Sequence, residues 1–185
     1  MLAACQIGPQ DTRPVPSVRQ IGADLKCPSG DHGYEDQVGW GFCYPGTWQY
    51  TLRSQSNTNP IPEVDLIFDI TNVPCTTPSP IAGQGSPRPV CGQGAGLFGV
   101  MIVSTYTRNG APSLAAWFQE NQSASPERTS MQAIAWGNAA EAAQLSDGRR
   151  IALTPQQVVI LTLHPGNLDL EAAMSTRLGT WKFTV

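Results

Sequence analysis

The chain has 185 residues, of which 41% are hydrophobic, and this is enough to build the core of one globular domain. Its 11 basic and 14 acidic residues give a formal charge of −3 and form no basic stripe, which argues against nucleic acid as a partner. Charged residues make up only 14%, whereas Gly and Pro number 18 and 16, a composition typical of a loop-rich, exported protein.

The first five residues, Met1-Leu2-Ala3-Ala4-Cys5, carry a localisation signal. Leu-Ala-Ala-Cys resembles the lipobox of bacterial lipoproteins, in which the cysteine thiol receives diacylglycerol. A complete signal also has a basic start and an apolar run of about 7 to 15 residues, which this sequence does not include. The resemblance implies that Cys5 is a lipid anchor and that the protein is exported to the outer face of a bacterial membrane.

The segment after Cys5 predicts a flexible tether. Residues 6–26 contain three prolines among polar side chains and have no sustained apolar periodicity. By random-coil scaling, about 20 such residues span roughly 25 Å, which would hold a domain away from a membrane surface. We therefore divide the chain into a lipobox remnant with a tether at 1–33 and a domain at 34–185.

The other four cysteines are even in number, which suits two disulfides in an oxidising compartment. Three pairings exist, and we favour Cys27–Cys43 and Cys75–Cys91 because each pair encloses fifteen residues. A loop of that length is expected to stabilise the fold by about 3 kcal/mol in the chain-entropy model. Zinc binding is the alternative, but there is no Cys-x-x-Cys and only His32 lies close to a cysteine, so no metal site is predicted.

The first half of the domain predicts strands separated by turns. Residues 38–44 and 48–53 are predicted strands around a Pro45-Gly46 corner. Residues 63–70 alternate between apolar and polar side chains, which predicts a strand with one face in water. Its apolar face holds Val64, Leu66, Phe68 and Ile70, and its polar face holds Glu63, Asp65 and Asp69.

A proline- and glycine-rich segment at 76–96 predicts a long surface loop. Residues 97–108 then predict a strand that is apolar on both faces at its start and therefore central in a sheet. Ser113 predicts the N-cap of a helix whose buried stripe contains Leu114, Trp117 and Phe118.

The last third predicts more strands and a second helix. Asp147-Gly148 indicates a turn, Asn167 the N-cap of the helix, and Gly179 its end. The run at 157–164 is nearly all apolar, which again favours a central strand. The predicted strands are 131–136, 150–153, 157–164 and 181–185.

The order of these elements and a set of aromatic positions resemble the PsbP-like family. This family includes the extrinsic PsbP protein of photosystem II, the Ran-binding Mog proteins and many small bacterial lipoproteins. The resemblance covers roughly residues 34–185 and does not include the 76–96 loop. The matching residues are Gly41, Phe42, Tyr44, Pro45, Trp48, Leu114, Trp117, Leu178, Trp181 and Phe183.

The resemblance implies an α+β fold in which a mostly antiparallel sheet is sandwiched by helices, an α/β/α arrangement. It implies no catalytic residue, because most members bind proteins or serve in assemblies. Within the aromatic stretch 40–48 it also implies that Phe42, Tyr44 and Trp48 alternate into the core. A ligand cage formed by these aromatic side chains is the alternative.

Two further patterns do not predict a site. Gly94, Gly96 and Gly99 fit G-x-G-x-x-G, but a proline-rich loop precedes them and a strand follows, which is the wrong context for dinucleotide binding. His32 and His164 lack a persuasive nucleophile, and we interpret His164, at the end of an apolar strand, as a hydrogen-bonded structural residue.

The sequence therefore predicts a membrane-tethered, exported and non-catalytic lipoprotein that acts through a protein partner or supports an envelope complex, without a cofactor. A small-molecule carrier with an aromatic-lined pocket is the alternative, and Trp40 and Trp136 are the candidate contacts for a ligand or partner. An enzyme is less well supported. Asp65 and Asp69 could form part of a carboxylate site, but a solvated strand face explains them better.

Overall fold

The computed structural model describes residues 25–36, 38–54, 64–73, 96–121, 130–164 and 166–183. These ranges contain ten strands and two short α-helices, α1 (Leu114–Glu120) and α2 (Leu170–Ser175), and every strand pairing is antiparallel. The predicted sheet-rich, antiparallel architecture is confirmed. The strands are β1 (Asp31–Asp36), β2 (Trp40–Pro45), β3 (Gln49–Ser54), β4 (Val64–Thr71), β5 (Phe98–Thr107), β6 (Gln132–Ala133), β7 (Glu141–Gln144), β8 (Arg150–Leu153), β9 (Gln157–His164) and β10 (Lys182–Phe183).

Seven strands form the larger sheet, in the order β3-β4-β5-β9-β8-β7-β6. β5 and β9 lie at its centre and pair from Val100 opposite His164 to Thr107 opposite Gln157. Side chains of a central strand face protein on both sides, which explains why both sequences are nearly continuous apolar runs. The central position predicted for these two runs is confirmed.

The smaller sheet contains β1, β2 and β10, with β2 in the middle. Trp40, Phe42 and Tyr44 share one face of β2 because side chains alternate along a strand. Trp40 and Phe42 belong to the main core cluster together with Phe68 and Met101 of the larger sheet. The two sheets therefore pack face to face around β2.

The strands before and after the Pro45-Gly46 corner are not partners of each other. β2 pairs with β1 and β10, whereas β3 pairs with β4. The corner thus carries the chain from the smaller sheet to the larger one. The aromatic side chains of β2 then pack on the larger sheet. The Gly46 N–H donates to the Gly30 carbonyl at 2.9 Å, and a Cβ at Gly46 would clash with that carbonyl, so the corner requires glycine.

Aromatic rings fill the space between the sheets. Phe42 stacks on Trp181 with ring centroids 4.6 Å apart, and Trp181 also contacts Trp40 at 5.7 Å and Trp136 at 5.1 Å. All four side chains are buried, as is Trp48. The structure thus places the aromatic stretch of β2 in the core, where each ring removes a large apolar area from water.

A second core cluster lies on the opposite face of the larger sheet. Tyr106 of β5 and Ile160 of β9 pack there with Leu114 and Trp117 of α1. The Ser113 hydroxyl accepts the Ala116 N–H at 3.1 Å and begins α1. The predicted cap and the predicted buried stripe of this helix are confirmed.

The start of the second helix was predicted wrongly. Asp169 caps α2 by accepting the Ala172 N–H at 2.9 Å. Asn167 instead accepts the N–H of Phe98 and donates to the Gly96 carbonyl, so it fastens the loop after β9 to the start of β5. α2 ends at Ser175 and a 3-10 turn, Leu178–Thr180, follows it.

Four strands also differ from the sequence predictions. β1 begins at Asp31, before the predicted domain boundary at residue 34. β7 has no predicted counterpart, because its sequence Glu-Ala-Ala-Gln has little strand propensity. β6 covers two of the six residues predicted at 131–136. β4 is buried on both faces, since Asp65 is 8% and Ile67 5% exposed.

A disulfide joins Cys27 to Cys43, with the two Cα atoms 5.4 Å apart. It is the pairing favoured by the spacing, and it ties the segment before β1 to the central strand of the smaller sheet. Cys5, Cys75 and Cys91 lie outside the described residues. The lipid anchor and the second disulfide therefore stay predictions, as do the 1–24 part of the tether and the 76–95 part of the loop.

Replacing Trp48 with alanine is expected to lower the free energy of unfolding by about 3–5 kcal/mol, because it leaves a cavity in a packed core. Trp48 is 6% exposed and belongs to the main cluster. Leu52, which is 41% exposed, is the control, and Leu52→Ala should cost less than about 1 kcal/mol. Urea melts measure both, and a Trp48→Ala protein that unfolds like its parent would show that this aromatic stretch is not core.

A buried arginine joins the larger sheet to α2. The Arg150 side chain is 3% exposed; its Nη1 donates to Glu171 Oε2 at 3.1 Å, and its Nη2 contacts Glu171 Oε1 and donates to the Ser175 hydroxyl at 3.0 Å. The hydrogen bonds from Arg150 lower the pKa of Glu171, and partial burial opposes them only in part. The ion pair thus stabilises the carboxylate form.

Glu171→Gln is expected to destabilise the protein at neutral pH by about 1–3 kcal/mol, because the buried Arg150 loses its charged partner. The Glu171 side chain is 54% exposed, so solvent screening keeps the loss of stability near the lower end of this range. The pKa of Glu171 is lower in the folded than in the unfolded state. The ion pair therefore contributes to the free energy of unfolding above about pH 4.3, and this contribution disappears as the pH falls through the pKa of the folded state.

The measurement is urea unfolding of the parent and of Glu171→Gln over a series of pH values. The difference in stability between them should shrink steadily on acidification. A difference that does not change with pH would contradict the assigned role of the carboxylate.

Candidate functional site

An open groove lies at one end of the larger sheet, where β3 and β5 begin and where β4 and β9 end. Its volume is about 410 Å³, within the range of ligand sites. We refer to it as the end groove. It is lined by Gln49, Tyr50, Thr51, Asp69, Ile70, Thr71, Phe98, Gly99, Val100, His164 and Gly166.

The register of four neighbouring strands builds the floor of the end groove. Thr51 pairs with Asp69, Asp69 with Val100, and Val100 with His164. Directly paired residues point to the same face of a sheet, so these four side chains form one row across β3, β4, β5 and β9. Neighbouring strands are about 4.8 Å apart, which puts the Cα atoms of Asp69 and His164 about 10 Å from each other with Val100 between them.

The loop after β9 fixes the side of the end groove next to β5. The Leu168 N–H donates to the Phe98 carbonyl at 3.0 Å, and Asn167 accepts the N–H of the same residue. A Cβ at Gly166 would clash with the Phe98 carbonyl, so this loop passes close to the strand only with glycine there. Phe98 is therefore held at the groove by contacts on its backbone, while 40% of the residue stays exposed.

Exposed apolar side chains are concentrated around the end groove. Among the residues that the structure describes, five large hydrophobic ones are exposed: Tyr50, Leu52, Leu97, Phe98 and Met131. The first four lie on β3 or at the start of β5, and only Met131 is at the opposite edge of the sheet, beside β6. A soluble protein rarely groups such residues without a binding role, so this end of the sheet is the best candidate for a binding surface.

A group of tyrosines closes the space between the two sheets next to β3. Tyr50 packs edge-on against Tyr44, Tyr34 and Phe68, with ring centroids 5.5–5.9 Å apart. Burial raises the pKa of Tyr34, and Asp36 adds to this effect; burial and then Tyr50 raise the pKa of Tyr44. The phenols of Tyr34 and Tyr44 are therefore neutral hydrogen-bonding groups at physiological pH.

The two tryptophans predicted to contact a ligand or partner lie in the core. Trp40 is 0% and Trp136 2% exposed, and the Trp40 indole N–H donates to the Thr105 hydroxyl at 3.1 Å. Neither residue lines the end groove. Because both are enclosed between the sheets, they offer no surface to a partner.

The predicted acidic and histidine residues fall into different environments. Asp65 is not on a solvated face: it is buried and accepts a hydrogen bond from the Ser104 hydroxyl at 2.7 Å. Asp69 and His164 both line the end groove, and His164 is exposed rather than buried at the end of its strand. His32 packs against Tyr44 in the smaller sheet.

The glycine triplet makes no phosphate site in the part of the chain that the structure covers. Gly99 lies inside β5, and a Cβ there would come within 2.7 Å of Leu170, so this glycine makes room for α2. Gly94 lies outside the described residues. Within those residues no group of three or more His, Cys, Asp or Glu side chains could hold a metal ion.

The sequence contains a signal for this candidate surface, but an incomplete one. β3 alternates polar and apolar residues, with Tyr50 and Leu52 on one side of the strand. This pattern predicts a strand with one buried face. Only the position of β3 at the edge of the sheet leaves both side chains exposed.

Comparisons with family models, with curated proteins and with solved structures give no match for this chain. Among the residues described, no helix has the length and apolar character needed to cross a membrane.

Proposed function

We propose that this chain is the globular part of an exported, lipid-anchored and non-catalytic protein that binds a protein partner through the end groove and β3. The observation that carries the proposal is the concentration of exposed apolar side chains there. Tyr50 and Phe98 line a groove of about 410 Å³, and Leu52 and Leu97 lie within two residues of them along the chain; each of the four is 37–41% exposed. An apolar surface of this kind marks a site that is covered in a complex.

The geometry of the end groove favours binding over acid–base catalysis. Asp69 and His164 are the titratable pair at the groove, and Val100 separates them in the row across the sheet. The backbones of the two residues are two strand spacings, about 10 Å, apart, whereas a general base must lie within hydrogen-bond distance of its proton donor.

Membership of the PsbP-like family, with an α/β/α arrangement, remains part of the proposal. Its support is the aromatic strand β2 and the two helices, of which α2 contributes to the main core cluster and α1 to the second. The three-stranded sheet is an additional layer over the main cluster. Family members that bind proteins provide the analogy for a partner-binding role.

Export is supported by the disulfide between Cys27 and Cys43, because such bonds persist in oxidising compartments. The lipobox-like Leu2-Ala3-Ala4-Cys5 supports a lipid anchor on the outer face of a bacterial membrane. Together these features favour a partner in the cell envelope.

Expressed behind a complete lipoprotein signal, the protein is expected to enter the detergent phase and to carry a diacylglycerol on Cys5. Cys5→Ser should remove both properties, because the thiol is the site of attachment. Intact-mass spectrometry and detergent partition provide the measurement. An unmodified parent protein in the aqueous phase would overturn the lipid anchor.

The binding surface is tested with a photo-crosslinking amino acid at position 52 or at position 131 in cells of the native host. Leu52 and Met131 are both 41% exposed but lie at opposite edges of the larger sheet, so they form a matched pair. We expect a discrete crosslinked product from position 52 and none from position 131. Equal products from both positions, or none from either, would contradict the proposal.

A small-molecule carrier is the second candidate, because the volume of the end groove suits a small ligand. A compound that stays bound through purification, as seen by native mass spectrometry, together with no crosslinked partner, would favour this function.

A further inference from the structure

We propose that the partner binds as an extended polypeptide segment that adds a strand to β3 and places a lysine or arginine side chain in the end groove. This inference rests on the proposed function and names the form of the partner and the charge it carries at the site.

The first argument comes from the four outer strands of the two sheets in the described residues. β6 and β10 have only two residues each, and β1 carries the carboxylates of Asp31, Glu35 and Asp36. Short length and charge are two devices by which proteins prevent pairing at sheet edges. β3 has six residues, Gln-Tyr-Thr-Leu-Arg-Ser, without proline, and Arg53 is its one charged residue against three on β1. It is the outer strand that is best suited to pair with another chain.

The second argument comes from the side chains of β3. In an antiparallel pair, alternate residues of the outer strand direct their N–H and C=O groups away from the partner strand. Among the described strands β3 pairs with β4 alone, along its whole length, so its other edge directs such groups away from the larger sheet. Tyr50 and Leu52, exposed on one face, would contact alternate side chains of an added strand.

The third argument comes from the position of the end groove beside β3. Three consecutive residues, Gln49, Tyr50 and Thr51, line it, so a strand added to β3 runs along its edge. Every second residue of that strand would then point to the face that carries Thr51 and Asp69. The end groove would receive one of these side chains.

The charge of the end groove selects the side chain. Asp69 is the one carboxylate among the described lining residues, and none of them is lysine or arginine. A carboxylate has about four acceptor positions, so Asp69 can accept from a ligand in addition to its contacts within the chain. Charge-assisted hydrogen bonds from an ammonium or guanidinium group are about twice as strong as neutral ones. Phe98, which pairs with Thr71 on the face that carries Asp69, offers aromatic surface to the same cation.

The test uses a phage library of random heptapeptides, selected against the full 185-residue chain. We expect enrichment of peptides with lysine or arginine at one fixed position. Asp69→Asn should weaken binding of the selected peptides by about tenfold or more, as expected for loss of a hydrogen bond to a charged group. Asp147→Asn, the same chemical change at the exposed turn between β7 and β8, should leave binding unchanged.

A charge reversal sharpens the test. Selection against Asp69→Lys should enrich peptides with aspartate or glutamate at the position that held the basic residue. Circular dichroism and a urea melt establish that each variant is folded. A library without enrichment, peptides without a basic residue, or equal binding to the parent and Asp69→Asn would overturn the assigned charge.

Strand addition is tested by N-methylation of the selected peptide, one residue at a time. We expect alternating sensitivity, with binding reduced about tenfold or more at every second residue, because only alternate N–H groups face β3. Uniform sensitivity or insensitivity would overturn strand addition. A dimer of the parent chain that is abolished by Leu52→Lys in sedimentation would overturn it too, since a second copy would then occupy β3.

These outcomes are distinguishable from failure of the proposed function. A crosslinked partner at position 52 without peptide selection would leave the binding surface in place and remove only the extended, basic form of the partner. Selection of basic peptides without a crosslinked partner in the native host would contradict the proposed function itself.

Discussion

The packing of Trp181 against Phe42 and Trp40 joins the chain segment at β10 to β2 and fills the core beneath the smaller sheet. β2 lies near the start of the described residues and β10 near their end. The rings of Trp40, Phe42 and Trp181 are buried where these two strands meet. The Cys43 N–H also donates to the Thr180 hydroxyl at 3.1 Å. Because aromatic side chains bury large areas, this contact can hold two distant parts of the chain over the larger sheet.

The end groove is a consequence of how the two faces of the larger sheet are covered. The smaller sheet and α2 pack on one face, whereas α1 packs on the other near β8 and the end of β5. The same face at the start of β5, where Phe98 and Val100 lie, carries the groove. Coverage at one end and openness at the other thus place the end groove on a central strand of the sheet.

Ion pairs reinforce the same arrangement from outside the aromatic layer. Arg150 joins β8 to α2, and Arg177 holds Asp31 of β1 through two hydrogen bonds of 2.7 and 2.9 Å. Asp31 is mostly buried, so its charge requires this partner. α2 and the turn after it are therefore tied to both sheets, while β3 lies at the far edge of the larger sheet.

The sequence by itself determined the elements that depend on local pattern. The apolar runs of β5 and β9 fixed their central positions, and Ser113 with Leu114 and Trp117 fixed α1, because burial and capping act over a few neighbouring residues. Tertiary structure decided where β3 lies, that Asp65 is buried, and that Asp69 and His164 share one groove. These features depend on strand order and register across residues far apart in the chain, and no local period encodes which strand stands at an edge.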